Sequence, residues 1–243
     1  MPKNTLSRLP ALLLARKAPA LVTRRDFLLG GAGLAAGLAA SPLWAQKSVQ
    51  GVRSLKGLVR VNGERATRAV PIGTGDTVIT GADGRISFVV GGDAFFLREN
   101  SELRIEASTL GRDLIASLRM VSGALGAVFA KRPADQVLIR TSTVTAGIRG
   151  TGCYTEARDE GVYFCTCFGA IELTSANGGQ QELVVASHHA PRIILRDPKD
   201  GKTIMQTSFG QHTDQEMDGL EKLVGRRAPW VGTPEEHAPY PGA

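Results

Sequence analysis

Short alternating runs, each closed by residues that reverse the chain, recur through most of this sequence and leave little room for helices. Leu58-Val59-Arg60-Val61 alternates, and Asn62-Gly63 then supplies the two positive-φ positions of a tight hairpin turn. Asp83-Gly84 precedes Ile86-Ser87-Phe88-Val89-Val90, and Gly91-Gly92-Asp93 turns the chain into Ala94-Phe95-Phe96-Leu97. Leu103-Arg104-Ile105, Leu114 to Val121, Val137-Leu138-Ile139 and Val162 to Leu173 continue the series. Asn177-Gly178 leads into Leu183-Val184-Val185, and Pro198 to Gly201 precedes Lys202-Thr203-Ile204-Met205. Strands this short and this regularly punctuated predict an all-β fold: a sandwich, a roll or a short β-solenoid. The period changes once. Thr213 with Glu216 three positions on is a capping-box pattern, and Met217, Leu220, Leu223 and Val224 share one helical face. A short amphipathic helix over about 213–224, within a segment 211–230, is therefore expected on the sheet. Residues 231–243 hold Pro234, Pro239 and Pro241 and few apolar side chains, and are expected as a disordered tail.

The N-terminus reads as an address. Arg24-Arg25 is followed by Phe27-Leu28-Leu29, a Gly/Ala-rich run from Gly30 to Ala40 and the small-residue end Leu43-Trp44-Ala45. This pattern resembles a twin-arginine export signal over residues 1–46, cleaved near Ala45, and predicts a periplasmic protein without a stable transmembrane span. The same segment explains the charge. The chain carries 29 Lys+Arg and 23 Asp+Glu, but residues 1–46 hold six of the bases and one acid, leaving 23 bases against 22 acids. Such a balance excludes nucleic acid as the default partner, because that surface needs excess clustered cations.

Two motifs, in order, carry a family resemblance. Gly75-Asp76-Thr77-Val78-Ile79-Thr80-Gly81-Ala82-Asp83-Gly84 is similar to the signature of the FecR domain, and Ile139-Arg140-Thr141 through Ile148-Arg149-Gly150-Thr151-Gly152 is similar to its later element. The match runs from about Leu58 to Thr174 within an all-β domain at 47–210. The resemblance implies a non-catalytic periplasmic module that signals or regulates, with iron suggested only by family analogy. In the best-known members that module follows a membrane helix and a cytoplasmic anti-sigma segment. Here an export signal stands in their place, so a stand-alone binding or sensing domain is expected, with a cell-envelope protein or a small ligand as its partner.

Three cysteines lie in one predicted hairpin. A three-residue loop at Asp159-Glu160-Gly161 would pair Cys153 with Cys167 and Thr155 with Cys165, placing all three thiols on one face. Tyr154, Phe164 and Phe168 would occupy the other face. A shift of one residue would throw Cys153 across the sheet. Two chemistries follow from the shared face. One is a metal site of Cys153, Cys165 and Cys167 completed by His188 or His189, with thiolates favouring zinc, copper or iron. If Val184 to Ile194 is a strand, only one of those histidines can join. The alternative is a Cys153–Cys167 disulfide in a structural or interaction domain bound to an envelope partner. No Cys-x-x-Cys-His motif for c-type haem, phosphate loop for nucleotide, nucleophile elbow or zinc-protease motif is present. Cys165 with His188 lacks an orienting third residue, and His212 and His237 read as solvated, so no enzyme is expected.

Overall fold

The computed structural model describes residues 50–108, 111–132, 137–177, 179–237 and 240; the segment read as an export signal lies outside them. The first half of the chain contributes β1 (Gly51–Lys56), β2 (Val59–Val61), β3 (Glu64–Arg65), β4 (Thr77–Thr80), β5 (Arg85–Val90), β6 (Asp93–Leu97), β7 (Glu102–Ser108) and β8 (Gly111–Ser122). The second half contributes β9 (Ala124–Val128), β10 (Val137–Arg140), β11 (Val144–Ile148), β12 (Gly152–Arg158), β13 (Gly161–Ser175), β14 (Gln181–Ala186), β15 (Ala190–Lys199) and β16 (Lys202–Gln206). One α-helix, α1 (Asp214–Leu223), and a 3-10 turn at Pro234–His237 follow.

The strands form a β-sandwich, and β13 belongs to both of its layers. Its first half pairs with β12 and β15, and its second half pairs with β11 and β14. The change of layer falls at Gly169, whose φ of 88° is open to glycine and whose missing Cβ leaves room for Thr151. One layer, sheet A, then runs β1-β5-β6-β9-β12-β13-β15-β16. The other, sheet B, runs β14-β13-β11-β10-β8-β7-β4-β2-β3, with β8 and β10 parallel. Val59, Val78, Phe88, Phe95, Leu103, Leu118, Ile139, Phe164 and Ile171 fill the space between the sheets.

The middle of sheet A is covered on both faces, which its burial pattern records. The strands β9 and β12 and the first half of β13 are buried at consecutive positions, whereas β2 and β10 of sheet B alternate. The third layer is α1 with the segment after it. Met217, Leu220, Ala228 and Trp230 pack on Val89, Val128, Tyr154 and Phe168 of sheet A. Burying each such large side chain contributes about 1.5–3 kcal/mol. The helix begins at a capping box, where the Glu216 amide donates to the Thr213 hydroxyl and the Glu216 carboxylate accepts from the Thr213 amide. Arg98 of the β6–β7 link donates to Glu216 at 2.8 Å and to the Gln211 carbonyl at 2.8 Å, pinning the helix start to the sheet. Within the segment its prolines predict as a tail, the described residues include the 3-10 turn at Pro234–His237 and Tyr240, whose ring stacks on Phe209 at 4.1 Å.

The residues of the first motif act as turn chemistry. Asp76 accepts from the Asn62 side chain and from the Gly73 amide. Asp83 accepts from the Leu58 amide, and a Cβ on Gly84 would lie 2.2 Å from the Leu58 carbonyl oxygen. The β1–β2 link therefore needs glycine at 84. Gly84→Ala is expected to destabilise the fold by about 2 kcal/mol or more, read as a lower urea midpoint with an unchanged slope.

Asp218 of α1 joins the helix to the chain beyond it, accepting from the Ala228 amide at 3.1 Å and from Lys222 at 2.6 Å. Burial pushes its carboxyl up, but Lys222, the Ala228 amide and Arg227 outweigh burial and hold it below the ordinary carboxylate value. A group depressed on folding stabilises above its unfolded pKa and stops doing so as pH falls through the folded one. Asp218→Asn should therefore cost about 1 kcal/mol at neutral pH, and the gap to the parent should close in acid below the carboxylate range. Denaturant titrations at several pH values measure both.

Candidate metal centre

The β12–β13 hairpin turns through two residues, Asp159 and Glu160, so that Arg158 pairs with Gly161 and Tyr154 with Cys165. The expected three-residue loop is one residue too long, and the difference moves Cys153 to the other face. Cys153 lies in the core between the sheets, beside Phe164, while Cys165 and Cys167 lie on the α1 side with Tyr154. A bulge opposite Gly152–Cys153 leaves Cys167 as the extra residue of β13, and its side chain is still on the side of Cys165. The shared face expected for three thiols is therefore corrected to two. Cys153 takes no part in the site, and no Cys153–Cys167 disulfide forms: all three cysteines are free and buried.

The histidines are also redistributed. His188 and His189 do not lie on a strand, because β14 ends at Ala186 and β15 begins at Ala190. Between them His189 takes a left-handed φ of 50°, a local cost of about 1 kcal/mol that the surrounding contacts sustain. Freed from strand alternation, both rings reach the same carboxylate, Asp214 at the start of α1. His189 also reaches the thiols, with Nδ1 3.6 Å from Cys165 Sγ. The fourth member is His212, which is buried here and not solvated as its place at a helix start predicts. Its residue exposure is 4%, its ring stacks on Tyr154 at 4.5 Å, and its Nε2 lies 3.3 Å from Cys167 Sγ. Capping by Thr213, the contact of Arg98 with the Gln211 carbonyl and the bond of the Gly210 amide to the Tyr163 hydroxyl hold it there.

Cys165, Cys167, His189 and His212 thus bring two sulfurs and two ring nitrogens within 4.8 Å of one another, all buried. The donor set fits a tetrahedral ion. Bonds of about 2.3 Å to sulfur and about 2.0–2.1 Å to nitrogen set sulfur-to-nitrogen edges near about 3.6 Å, close to the 3.6 and 3.3 Å present here. The outer nitrogens are committed elsewhere. His189 Nε2 is 2.7 Å from Asp214 Oδ1, and His212 Nδ1 is 3.0 Å from the Gly210 carbonyl. Each bond requires the ring to donate, which leaves the inner nitrogen of a neutral imidazole as a lone pair aimed at the centre. Asp214 also accepts from the Tyr240 hydroxyl at 3.2 Å and faces His188 Nε2 at 3.1 Å, so the tail and the β14–β15 turn share one carboxylate. His188, Asp214 and His189 form a second group of possible ligands, though His188 itself contacts no thiol.

Charge within the cluster follows these contacts. Burial pushes the Cys165 thiol up, but hydrogen bonds with Cys167, His189 and His212 outweigh it and hold Cys165 well below the ordinary thiol value. Cys167 moves the other way, raised by burial and by the neighbouring Cys165. Burial lowers the His189 imidazole, and Cys165 and Asp214 more than offset that. A thiolate beside an imidazole oriented by a carboxylate is also the geometry of a nucleophilic relay. Cys165 itself has no exposed surface in this fold. The sequence offered only a weak sign of His212 and Asp214: they flank Thr213, and a capped helix packed on a sheet has fixed residues at its start.

No family model and no curated protein matches this chain. Among solved structures, two crystal structures of a "putative anti-sigma factor" from Parabacteroides distasonis are similar to it. One has a TM-score of 0.46 at 11% identity over 60% of this chain and 64% of that chain. The other has a TM-score of 0.43 at 10% identity over 62% and 60%. The chain thus spans less than two thirds of the length of these neighbours, and a likeness of this degree says nothing of activity or partner. Among the described residues, no helix is long and apolar enough to cross a membrane.

Three buried free thiols make a countable prediction. Without reductant, the native protein should react with a thiol reagent at none of its cysteines within minutes, and at three per chain after denaturation with a chelator present. One reactive thiol in the denatured chain would mean a disulfide, and with it a different β12–β13 register.

Proposed function

We propose that this protein is an exported, non-catalytic binding or regulatory module, and that a metal ion clasps its C-terminal segment to sheet A. Cys165 and Cys167 of β13 and His189 of the β14–β15 turn would hold the ion from one side, and His212 from the segment that leads into α1. One observation carries the reading: both imidazoles are tied through their outer nitrogens, to Asp214 and to the Gly210 carbonyl, so that both inner nitrogens face the two thiols. Ligand histidines are oriented in this way by their second partners. Two sulfurs and two nitrogens in a closed, buried set suit zinc first and copper(I) next, and leave no open position for a substrate.

The export signal and the family resemblance support a periplasmic location and a role in sensing or regulation. They also bear on the thiols. The periplasm oxidises exposed cysteine pairs, and a chain that folds and loads its metal before export would carry its thiolates across already protected.

Metal analysis of the purified chain tests the proposal. About one ion per chain is expected, kept in Cys153→Ser and lost in Cys165→Ser and Cys167→Ser. Cobalt(II) added to the chelated protein should give the intense visible bands of a tetrahedral thiolate site, and Asp214→Asn should weaken zinc binding by about 10–100-fold. Protein that takes up no stoichiometric metal while its fold is intact would overturn the proposal.

A further inference from the structure

The outer face of sheet B carries an arrangement that folding alone does not explain. Arg104 of β7 pairs in register with Arg119 of β8, and Arg119 pairs with Arg140 of β10. All three side chains are exposed. Neighbouring strands lie about 4.8 Å apart, so three guanidinium groups stand in one row spanning about 10 Å. Like charges directly opposite each other on a sheet destabilise it. Arg104 is relieved by Glu102 at 2.8 Å, but no described residue forms an ion pair with Arg119 or Arg140. The row continues with Thr145, Thr174 and Gln181, none of which supplies a counter-charge.

Most of the exposed large apolar side chains stand on strands of the same sheet. Among the described residues these are Leu58, Ile79, Val121, Leu183 and Val185. Ile79 lies opposite Arg60 and Glu102, and Val121 stands two residues beyond Arg119 on β8. Leu183 and Val185 project from the outer side of β14, where they are 62% and 68% exposed while Val184 between them is buried in the core. None of these five lies on a strand of sheet A, whose middle strands are covered by α1 and the segment after it.

We propose that the outer face of sheet B docks on an anionic phospholipid surface, with Arg104, Arg119 and Arg140 on the phosphates and Val121 and Leu183 at the headgroup–acyl boundary. Arg104, Arg119 and Val121 all project from the open side of the sheet, so cations and an apolar group are offered to the same surface, as contact with a bilayer requires. A soluble polyanion would engage the arginines and leave the apolar side chains in water. Single-stranded nucleic acid would need aromatic platforms, and this face has none among the described residues. The proposal is independent of the metal site, which lies on the far side of sheet A.

The test uses the full chain and vesicles of phosphatidylethanolamine with phosphatidylglycerol, compared with phosphatidylcholine alone, in a flotation assay. Binding should need phosphatidylglycerol, weaken with salt, and fall about tenfold or more in Arg119→Glu and further when Arg140→Glu is added. Arg119→Glu places a carboxylate between Arg104 and Arg140, so its melting temperature should equal or exceed that of the parent. A loss of binding accompanied by a loss of stability would overturn the proposal. The native cysteines are buried, so Val121→Cys offers a single site for an environment-sensitive dye, whose emission should shift to the blue on phosphatidylglycerol vesicles. An unmoved dye, or binding that ignores the arginine substitutions, would show that the vesicles are held elsewhere on the chain. Equal binding to phosphatidylcholine would remove the charge argument. Tighter binding to heparin than to vesicles would assign the arginine row to a soluble polyanion and overturn the lipid surface.

Discussion

The pairing of Tyr154 with Cys165 sets the side of sheet A on which every residue of the β12–β13 ribbon lies. Side chains alternate along a strand, so this single register sends Cys153 and Phe164 into the space between the sheets and Tyr154, Tyr163 and Cys165 toward α1. Much else follows from it. Tyr154 becomes the platform on which His212 stacks, the Tyr163 hydroxyl receives the Gly210 amide, and the two thiols meet the helix-bearing segment. A register one residue different would put Tyr154 and Cys165 on opposite faces and leave His212 without its platform beside the thiols.

Asp214 is the second point of convergence. As the first residue of α1 it faces His188 and His189 from the β14–β15 turn and accepts from Tyr240 of the tail. Burial alone would raise its carboxyl, and the two histidines bring it below the ordinary value. The carboxylate therefore belongs to the folded arrangement rather than to the helix alone. It fixes the tautomer of His189, and through it the atom that faces Cys165. The positive φ of His189 is the local cost of bringing adjacent histidines to one side.

The two sheets divide the chemistry between them. Sheet A, buried on both faces at its middle strands, holds the cysteines and most of the large aromatic side chains, and its polar cluster is shielded from water. Sheet B is covered on one face only, and its open face carries the arginine row and the exposed apolar side chains. The first is suited to holding an ion in place and the second to meeting a surface.

Local pattern was enough for the strands, the hairpin turns at Asn62-Gly63 and Gly91-Gly92, and the capped helix at Asp214–Leu223, because alternation, turn residues and capping are properties of neighbours along the chain. Residue chemistry pointed alike to Cys153, Cys165, Cys167, His188 and His189 and could not choose among them. The exclusion of Cys153 rested on one residue of hairpin loop, which Asp159-Glu160-Gly161 leaves ambiguous. His212 and Asp214 join the site through contacts that span the fold, 45 residues from Cys167 in one case and 25 from His189 in the other. The arginine row became visible only when β7, β8 and β10 were placed side by side. The sequence by itself determined which segments extend, turn or coil, since those choices are settled within a few residues. Only the tertiary structure decided which side chains meet, because register and layer packing are chosen by the burial of whole faces.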